Sequence, residues 1–378
     1  MRAFFRAASL RAPGNATKPR ESDLHARPII RSIALLLVLA SSGCVLHIHR
    51  DGPPPPTFTY TQLAKPMEPF VVTEHNPVML GEPTDRTRHH DIVPLSFVSS
   101  GHNGHPDNLV IGQYFRSREP GRKKLVIVMP IWGTSTYPPR KISTGYARRD
   151  GDDVNVIWVH GDSPVFPWAE LSHAPDEQTF VTRARDSVER FRTAIVDMQR
   201  LVDWAATRDE IDPSRIAFVG FSMSALVTTT LMANDSRIKA AVLMMGAANF
   251  ADVFTNCGDR VAEVRVHAMR DFGWSLERYH AFFDEQFSPA DPSRFRGHYD
   301  PDKFLMIDAM FDDCMPESAR AALWDITGHP ERVTIMYRHR SSFYSLTPLG
   351  LNFSRRHIYR FLDRKLDAER EKTAGDRD

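Results

Sequence analysis

The sequence predicts an α/β fold: a mostly parallel central sheet flanked by helices, with a helical lid-like insertion ahead of the last two strands. Three observations predict it. Short runs rich in Val, Ile and Leu alternate with longer amphipathic stretches, the pattern of strands and crossover helices. Several of the runs are apolar at consecutive positions, as strands covered on both faces are. The chain of 378 residues is 42% hydrophobic and 25% charged, which excludes a disordered, collagen-like or multi-span membrane protein. With 48 Lys and Arg against 47 Asp and Glu, nothing points to a nucleic-acid partner.

Residues 92–98 and 109–115 read as two opening strands, separated by the turn-rich Gly101-His102-Asn103-Gly104. Lys124-Leu125-Val126-Ile127-Val128-Met129, closed by Pro130, predicts a buried strand, and 154–160 another. Val188, Phe191, Ile195, Met198, Val202 and Ala205 recur at helical spacing within a helix over 179–206. Asp212-Pro213 closes the next connection, ahead of a strand at 216–219, a helix at 225–233 and a strand at 240–245. Residues 303–310 and 333–337 complete the sheet, and 352–362 form a closing amphipathic helix. The segment from about 250 to 302 is too long and too apolar for a bare loop, which predicts a small helical insertion. Its aromatics, Phe250, Phe254, Phe272, Trp274, Tyr279, Phe282 and Phe283, are either the wall of a lid or the insertion's own core.

The two ends read differently. In residues 1–44, Arg27 and Arg31 flank the start of an apolar run at 33–40, which leads into Ser41-Ser42-Gly43-Cys44. The run is far short of the roughly 20 residues that span a bilayer, so the segment reads as an export signal. Cysteine directly after Gly43 makes it resemble a bacterial lipoprotein signal, although Ser41 stands where an aliphatic residue is usual. That resemblance implies lipidation of Cys44 and a membrane-anchored protein of the cell envelope facing the periplasm; an ordinary export signal and a protein that is not exported are the other readings. Residues 45–67, with prolines at 53–56, are expected to form a semi-rigid linker to a domain over 68–364. The charged residues 365–378 are expected to fray into a tail.

The sharpest motif is Gly220-Phe221-Ser222-Met223-Ser224, between the strand at 216–219 and a helix. A serine lifted above a sheet on a tight strand-to-helix turn needs small neighbours two residues away on either side. Gly220 is one, and Ser224 stands where the usual motif has its second glycine. The helix N-terminus favours negative charge, so the Met223 N–H is aimed at any oxyanion formed on a carbonyl attacked by Ser222. The bland reading is a helix cap without chemistry. With Asp212-Pro213-Ser214-Arg215-Ile216-Ala217 upstream, this stretch resembles the α/β-hydrolase superfamily, particularly its dienelactone-hydrolase and acetylesterase-like members, over roughly residues 92–362.

That resemblance implies partners for Ser222. A histidine is expected after the last strand, and His339 follows 333–337 directly; His329 precedes that strand and His357 lies in the closing helix. The stretch from His339 to Gly350 resembles the histidine loop of related exported hydrolases, with Arg338 where a glycine is usual. The acid is expected after the penultimate strand, four residues before a helix-opening proline, which is Asp312 ahead of Pro316. Asp313 is then expected to cap that helix. Asp308 reads as a satisfied buried group, and Asp252 is a remoter alternative. The second oxyanion donor is expected from the loop after the third strand, at Trp132 or Gly133.

These residues imply a serine hydrolase that cleaves carboxylic esters of small molecules through an acyl-enzyme. An acyltransferase acting on envelope sugar or lipid, and a non-catalytic binding protein on the same fold, are the alternatives. No cofactor is expected, and no metal: the pairs His47/His49, His89/His90 and His102/His105 lack accompanying ligands at suitable spacing. Cys257 and Cys314 lie at the start of the insertion and beside the acid, where an oxidising compartment allows them to pair; sequence leaves the pairing open.

Overall fold

The apolar runs form the middle of a ten-stranded sheet in the computed structural model, which describes residues 59–68, 70–72, 77–100, 109–132, 137–161 and 165–375. The expected export signal, Cys44, the proline run and Gly133 lie outside the described residues. The strands are β1 (Met79–Leu80), β2 (Asp85–Arg86), β3 (His90–Val98), β4 (Leu109–Ser117), β5 (Lys123–Val128), β6 (Val154–Val159), β7 (Ile211–Phe221), β8 (Ile238–Met244), β9 (Phe304–Ala309) and β10 (Glu331–Ile335). Their order is β1-β3-β4-β6-β5-β7-β8-β9-β10, with β2 on β3. Pairs among β1 to β4 and the β4–β6 pair are antiparallel, and every pair from β6 through β10 is parallel.

The helices are α1 (Tyr137–Asp150), α2 (Trp168–Ser172), α3 (Glu177–Ala206), α4 (Met223–Asn234), α5 (Phe250–Asn256), α6 (Asp259–Asp271), α7 (Leu276–Phe287), α8 (Glu317–Ile326) and α9 (Phe353–Gly375). Alternation along β5 explains its continuous apolarity. Leu125 and Ile127 join a core shared with α3, α4 and the insertion, while Val126 and Val128 join a second core under α1 and α9. The Asp176 carboxylate starts α3 by accepting the Thr179 N–H at 2.7 Å.

The insertion consists of α5, α6 and α7 followed by short 3-10 turns. Of the two readings of its aromatics, the structure selects the core. Phe250, Phe254, Tyr279 and Phe283 are buried, with Phe254 stacked on Phe283 at 4.2 Å and Phe250 edge-on to Phe191 of α3 at 4.8 Å.

Three boundaries differ from the sequence reading. Residues 59–67, expected as the end of a linker, pack on the domain: Thr61 N–H donates to Gly297 O at 2.8 Å, Met67 N–H to Asn234 Oδ1 at 2.9 Å, and Leu63 and Met67 lean on the core. β7 begins at Ile211 and takes in Asp212-Pro213, with the proline at an irregularity in the β5–β7 register. The closing helix runs past Leu362 to Gly375, so most of the expected tail is helical. Leu366 is buried, and the buried Lys124 ammonium donates to Asp367 at 2.9 Å and Asp150 at 2.7 Å, which ties α9 and α1 to the start of β5.

Candidate active site

β7 ends at Phe221 and α4 begins at Met223, so one residue turns the chain from strand to helix. That residue, Ser222, sits at φ 51° and ψ −120°, a conformation non-glycine residues avoid at roughly 1–3 kcal/mol. Its neighbours hold it there. Ser222 N–H donates to Met244 O at 2.8 Å, and Ala225 N–H donates to Ser222 O at 2.9 Å. The fully buried Ser224 hydroxyl accepts from Phe221 N–H at 2.8 Å and donates to Phe221 O at 3.0 Å. Serine at this position thus closes the turn with two bonds that a glycine lacks. At Gly220 a Cβ would lie 2.6 Å from Ser224 O and 2.8 Å from Ala225 Cα, so only glycine lets strand and helix approach this closely.

The turn brings Ser222 to His339 and Asp312. Ser222 Oγ lies 2.9 Å from His339 Nε2, and His339 Nδ1 lies 2.9 Å from both oxygens of Asp312. A carboxylate only accepts, so Nδ1 carries the hydrogen and Nε2 presents its lone pair to the serine hydroxyl. Asp312 is enclosed, with no side-chain exposure, and its Oδ1 also accepts the N–H groups of Cys314 at 2.9 Å and Met315 at 2.7 Å.

The neighbouring carboxylates have other work. Asp313 does not cap α8, whose first turn is preceded by Pro316 with no side-chain cap. Instead Asp313 accepts the backbone N–H of His339 at 3.3 Å and faces Arg338 at 3.4 Å, because the irregular chain after β9 turns it toward the histidine loop. Asp308 lies within β9, fully buried and paired with Arg332 at 2.6 Å; burial pushes its carboxyl above the ordinary value, against the pull of Arg332 and Arg320. Asp252 accepts from Ser318 Oγ and pairs with His280, both at 3.2 Å, so it is engaged elsewhere. His329 pairs with Asp325 at 3.3 Å, away from the serine.

Met223 opens α4, where the first N–H groups have no partner within the helix. Trp132 lies on the turn after β5, half-buried against the core, with its Cα 3.2 Å from where a side chain at Gly161 would begin. A groove of about 500 Å³ lined by Phe311, Asp312, Asp313, Tyr337 and Arg338, among others, borders Asp312 rather than Ser222. His89 and His90 have protein partners, Asp152 and Val154 O, each at 2.9 Å. Among the described residues no cluster of three or more metal-ligating side chains is found.

Sequence reasoning left one feature open: Cys257 and Cys314 form a disulfide, S–S 2.11 Å. It also missed the contribution of Ser224, whose only signal was a serine in a glycine's place. Ser224→Ala is expected to leave the buried Phe221 N–H without its acceptor and to lower unfolding free energy by about 1–3 kcal/mol in urea titrations. An unchanged midpoint would show that the hydroxyl does not hold the turn.

No family model matches the sequence, and no curated protein matches it. Solved structures are similar in fold. Acetyl xylan esterase 1 from Thermoanaerobacterium sp. JW/SL YS485 superposes with a TM-score of 0.52 at 15% identity, over 74% of this chain and 91% of that one. An acetyl xylan esterase from Paenibacillus sp. R4 gives 0.52 at 17% identity, over 77% and 89%. The Pyrococcus horikoshii acylaminoacyl peptidase gives 0.50 at 14%, over 74% of this chain and 42% of that one. With its strand order and the parallel half of its sheet, the chain has the α/β-hydrolase fold.

Proposed function

We propose that the protein is a serine hydrolase that cleaves carboxylic esters. One observation carries the reading: Ser222, His339 and Asp312 lie in a single hydrogen-bonded line, at 2.9 Å for each contact. In the proposed reaction Ser222 Oγ attacks the ester carbonyl while its proton passes to His339 Nε2. Asp312 holds the ring in that tautomer and stabilises the imidazolium. The carbonyl oxygen, now carrying the negative charge, is met by the N–H of Met223 and a second donor at Trp132; one such donor is worth about 10²–10³-fold in rate. His339 then returns the proton to the departing alcohol, leaving the acyl group on Ser222. Water, deprotonated by His339, attacks the acyl carbonyl; the bond to Ser222 Oγ then breaks as His339 returns the proton to that oxygen, and the acid is released.

Burial of Asp312 supports its role as the acid, since an enclosed carboxylate with the imidazole beside it is not dissipated by solvent. The acetyl xylan esterases among the proteins of similar fold make short acyl esters the first substrates to try. In assays with p-nitrophenyl acetate, Ser222→Ala is expected to abolish turnover. Asp312→Asn is expected to lower it by about 10⁴-fold. Asp313→Asn, which keeps an oxygen for the His339 N–H, should stay within about threefold of the native enzyme, because its contact is outside the proton path. A dead Asp313→Asn beside an active Asp312→Asn would overturn the assignment of the acid.

We also infer that the protein is exported and held in the cell envelope, facing the periplasm, through a lipidated Cys44. The leader residues support this, and so does the disulfide, which persists in oxidising compartments and is rare in the cytosol. Cys44→Ser is expected to move the protein from the detergent phase to the aqueous phase in Triton X-114 partitioning. Unchanged partitioning would place the anchor elsewhere.

A further inference from the structure

The proposed reaction makes no use of Cys257 and Cys314, yet their bond ends two residues from the acid. We propose that this disulfide positions Asp312: it fixes the backbone N–H groups that hold the carboxylate against His339. The inference rests on the reading of Asp312 as the acid of the site.

Between the end of β9 at Ala309 and the start of α8 at Glu317 the chain has no regular structure, so tethers set the direction of the Asp312 side chain. The first half of this loop is tied to the end of β10 and the residues just after it: Met310 N–H donates to Ile335 O at 2.8 Å and Phe311 N–H to Tyr337 O at 3.1 Å. The second half holds the donors to the acid, the N–H groups of Cys314 and Met315. It is held on three sides: Arg320 Nε donates to Met315 O and Arg320 N–H to Pro316 O, each at 3.0 Å, the Asp313 carboxylate meets the histidine loop, and the remaining ties run to the end of α5. Gly258 N–H donates to Asp313 O at 3.0 Å, and Cys257 is bonded to Cys314.

The far end of the tether is firm. Cys257 is buried, its N–H donates to Val253 O at 2.8 Å, and its carbonyl accepts from Arg265 Nη1 at 3.1 Å. α5 itself is seated by Phe250 and Phe254 in the aromatic core. A continuous path therefore runs from the insertion's core through the sulfur bridge to the two N–H groups on Asp312 Oδ1. Loss of the bridge removes the covalent tie on Cys314, whose N–H is one of the two donors, and so loosens the carboxylate that meets the imidazole. Misplacement of a catalytic group by about 1 Å can cost on the order of 100-fold.

A staple that only stabilises the fold would act whatever residue stands at 312; a positioning device acts through Asp312. The test is a double-mutant cycle on the full chain, assayed with p-nitrophenyl acetate well below every melting temperature. In the native background, Cys257→Ala/Cys314→Ala is expected to lower kcat by about tenfold or more with KM within about twofold. In Asp312→Asn, where the carboxylate is already lost, the same pair is expected to change kcat by less than about twofold. An unchanged kcat in the native background, or an equal loss in both, overturns the proposal. If the double variant does not fold, both comparisons are made on the folded proteins reduced by a phosphine, with thiols counted and near-ultraviolet circular dichroism followed. Full activity of Asp312→Asn would defeat the reading of the acid itself; an inactive Asp312→Asn with bridge-independent kcat defeats only the present inference.

Discussion

The site depends on one backbone constraint, the turn at Ser222. A residue held at φ 51° and ψ −120° does not stay there by its own preference. It stays because β7 is locked between two parallel neighbours, β5 and β8, while α4 is buried along almost its whole length. Strand and helix are both seated in the core, so the single residue between them makes the whole turn. Gly220 permits the close approach, and the Ser224 hydroxyl ties off the Phe221 peptide inside it. The strain is small against the burial of either element, and its result is a hydroxyl projected at the carboxyl edge of the sheet. The chain leaves β5 for β6 on one side and returns to β7 on the other, so Ser222 and the loop carrying Trp132 flank the point where the strand order reverses. That is where open α/β sheets form their binding crevice.

The other two members arrive from the carboxyl ends of β9 and β10, adjacent parallel strands in register from Leu305 opposite Glu331 to Ala309 opposite Ile335. Register delivers the two loops side by side, but hydrogen bonds set their aim. Asp312 and Asp313 both serve the histidine, one through its ring and the other through its backbone N–H. Neighbouring carboxylates can share this work because the chain is irregular here and their side chains diverge. Asp312 is buried among donors while Asp313 is half exposed beside Arg338, so the two differ sharply in what neutralising each would do.

Much of this was legible in the sequence, for definite reasons. Unbroken apolarity at 124–129 signals a strand buried on both faces, and its two faces do enter different cores. The resemblance to the α/β-hydrolase superfamily points to His339 after the last strand and, through that family's spacing to the proline, to Asp312 ahead of Asp308 and Asp313. What was not legible is what depends on distant contacts. The ends of the domain were misread: residues 59–67 look like linker until Asn234 and Gly297 are seen to bind them, and the charged α9 looks like a tail until Lys124 meets Asp367. Proximity of two cysteines separated by 57 residues is likewise a property of the fold. Asp313 looks like a helix cap because an Asp shortly before a helix usually is one; tertiary contact with the histidine loop prevailed.

The proposed reaction stands on the strained Ser222 as its nucleophile. Treating the folded protein with a fluorophosphonate and locating the adduct by peptide mass spectrometry examines that role. One phosphonyl group per chain is expected, on Ser222, and none after heat denaturation before treatment. An adduct on another serine, or no adduct on the folded protein, would contradict it.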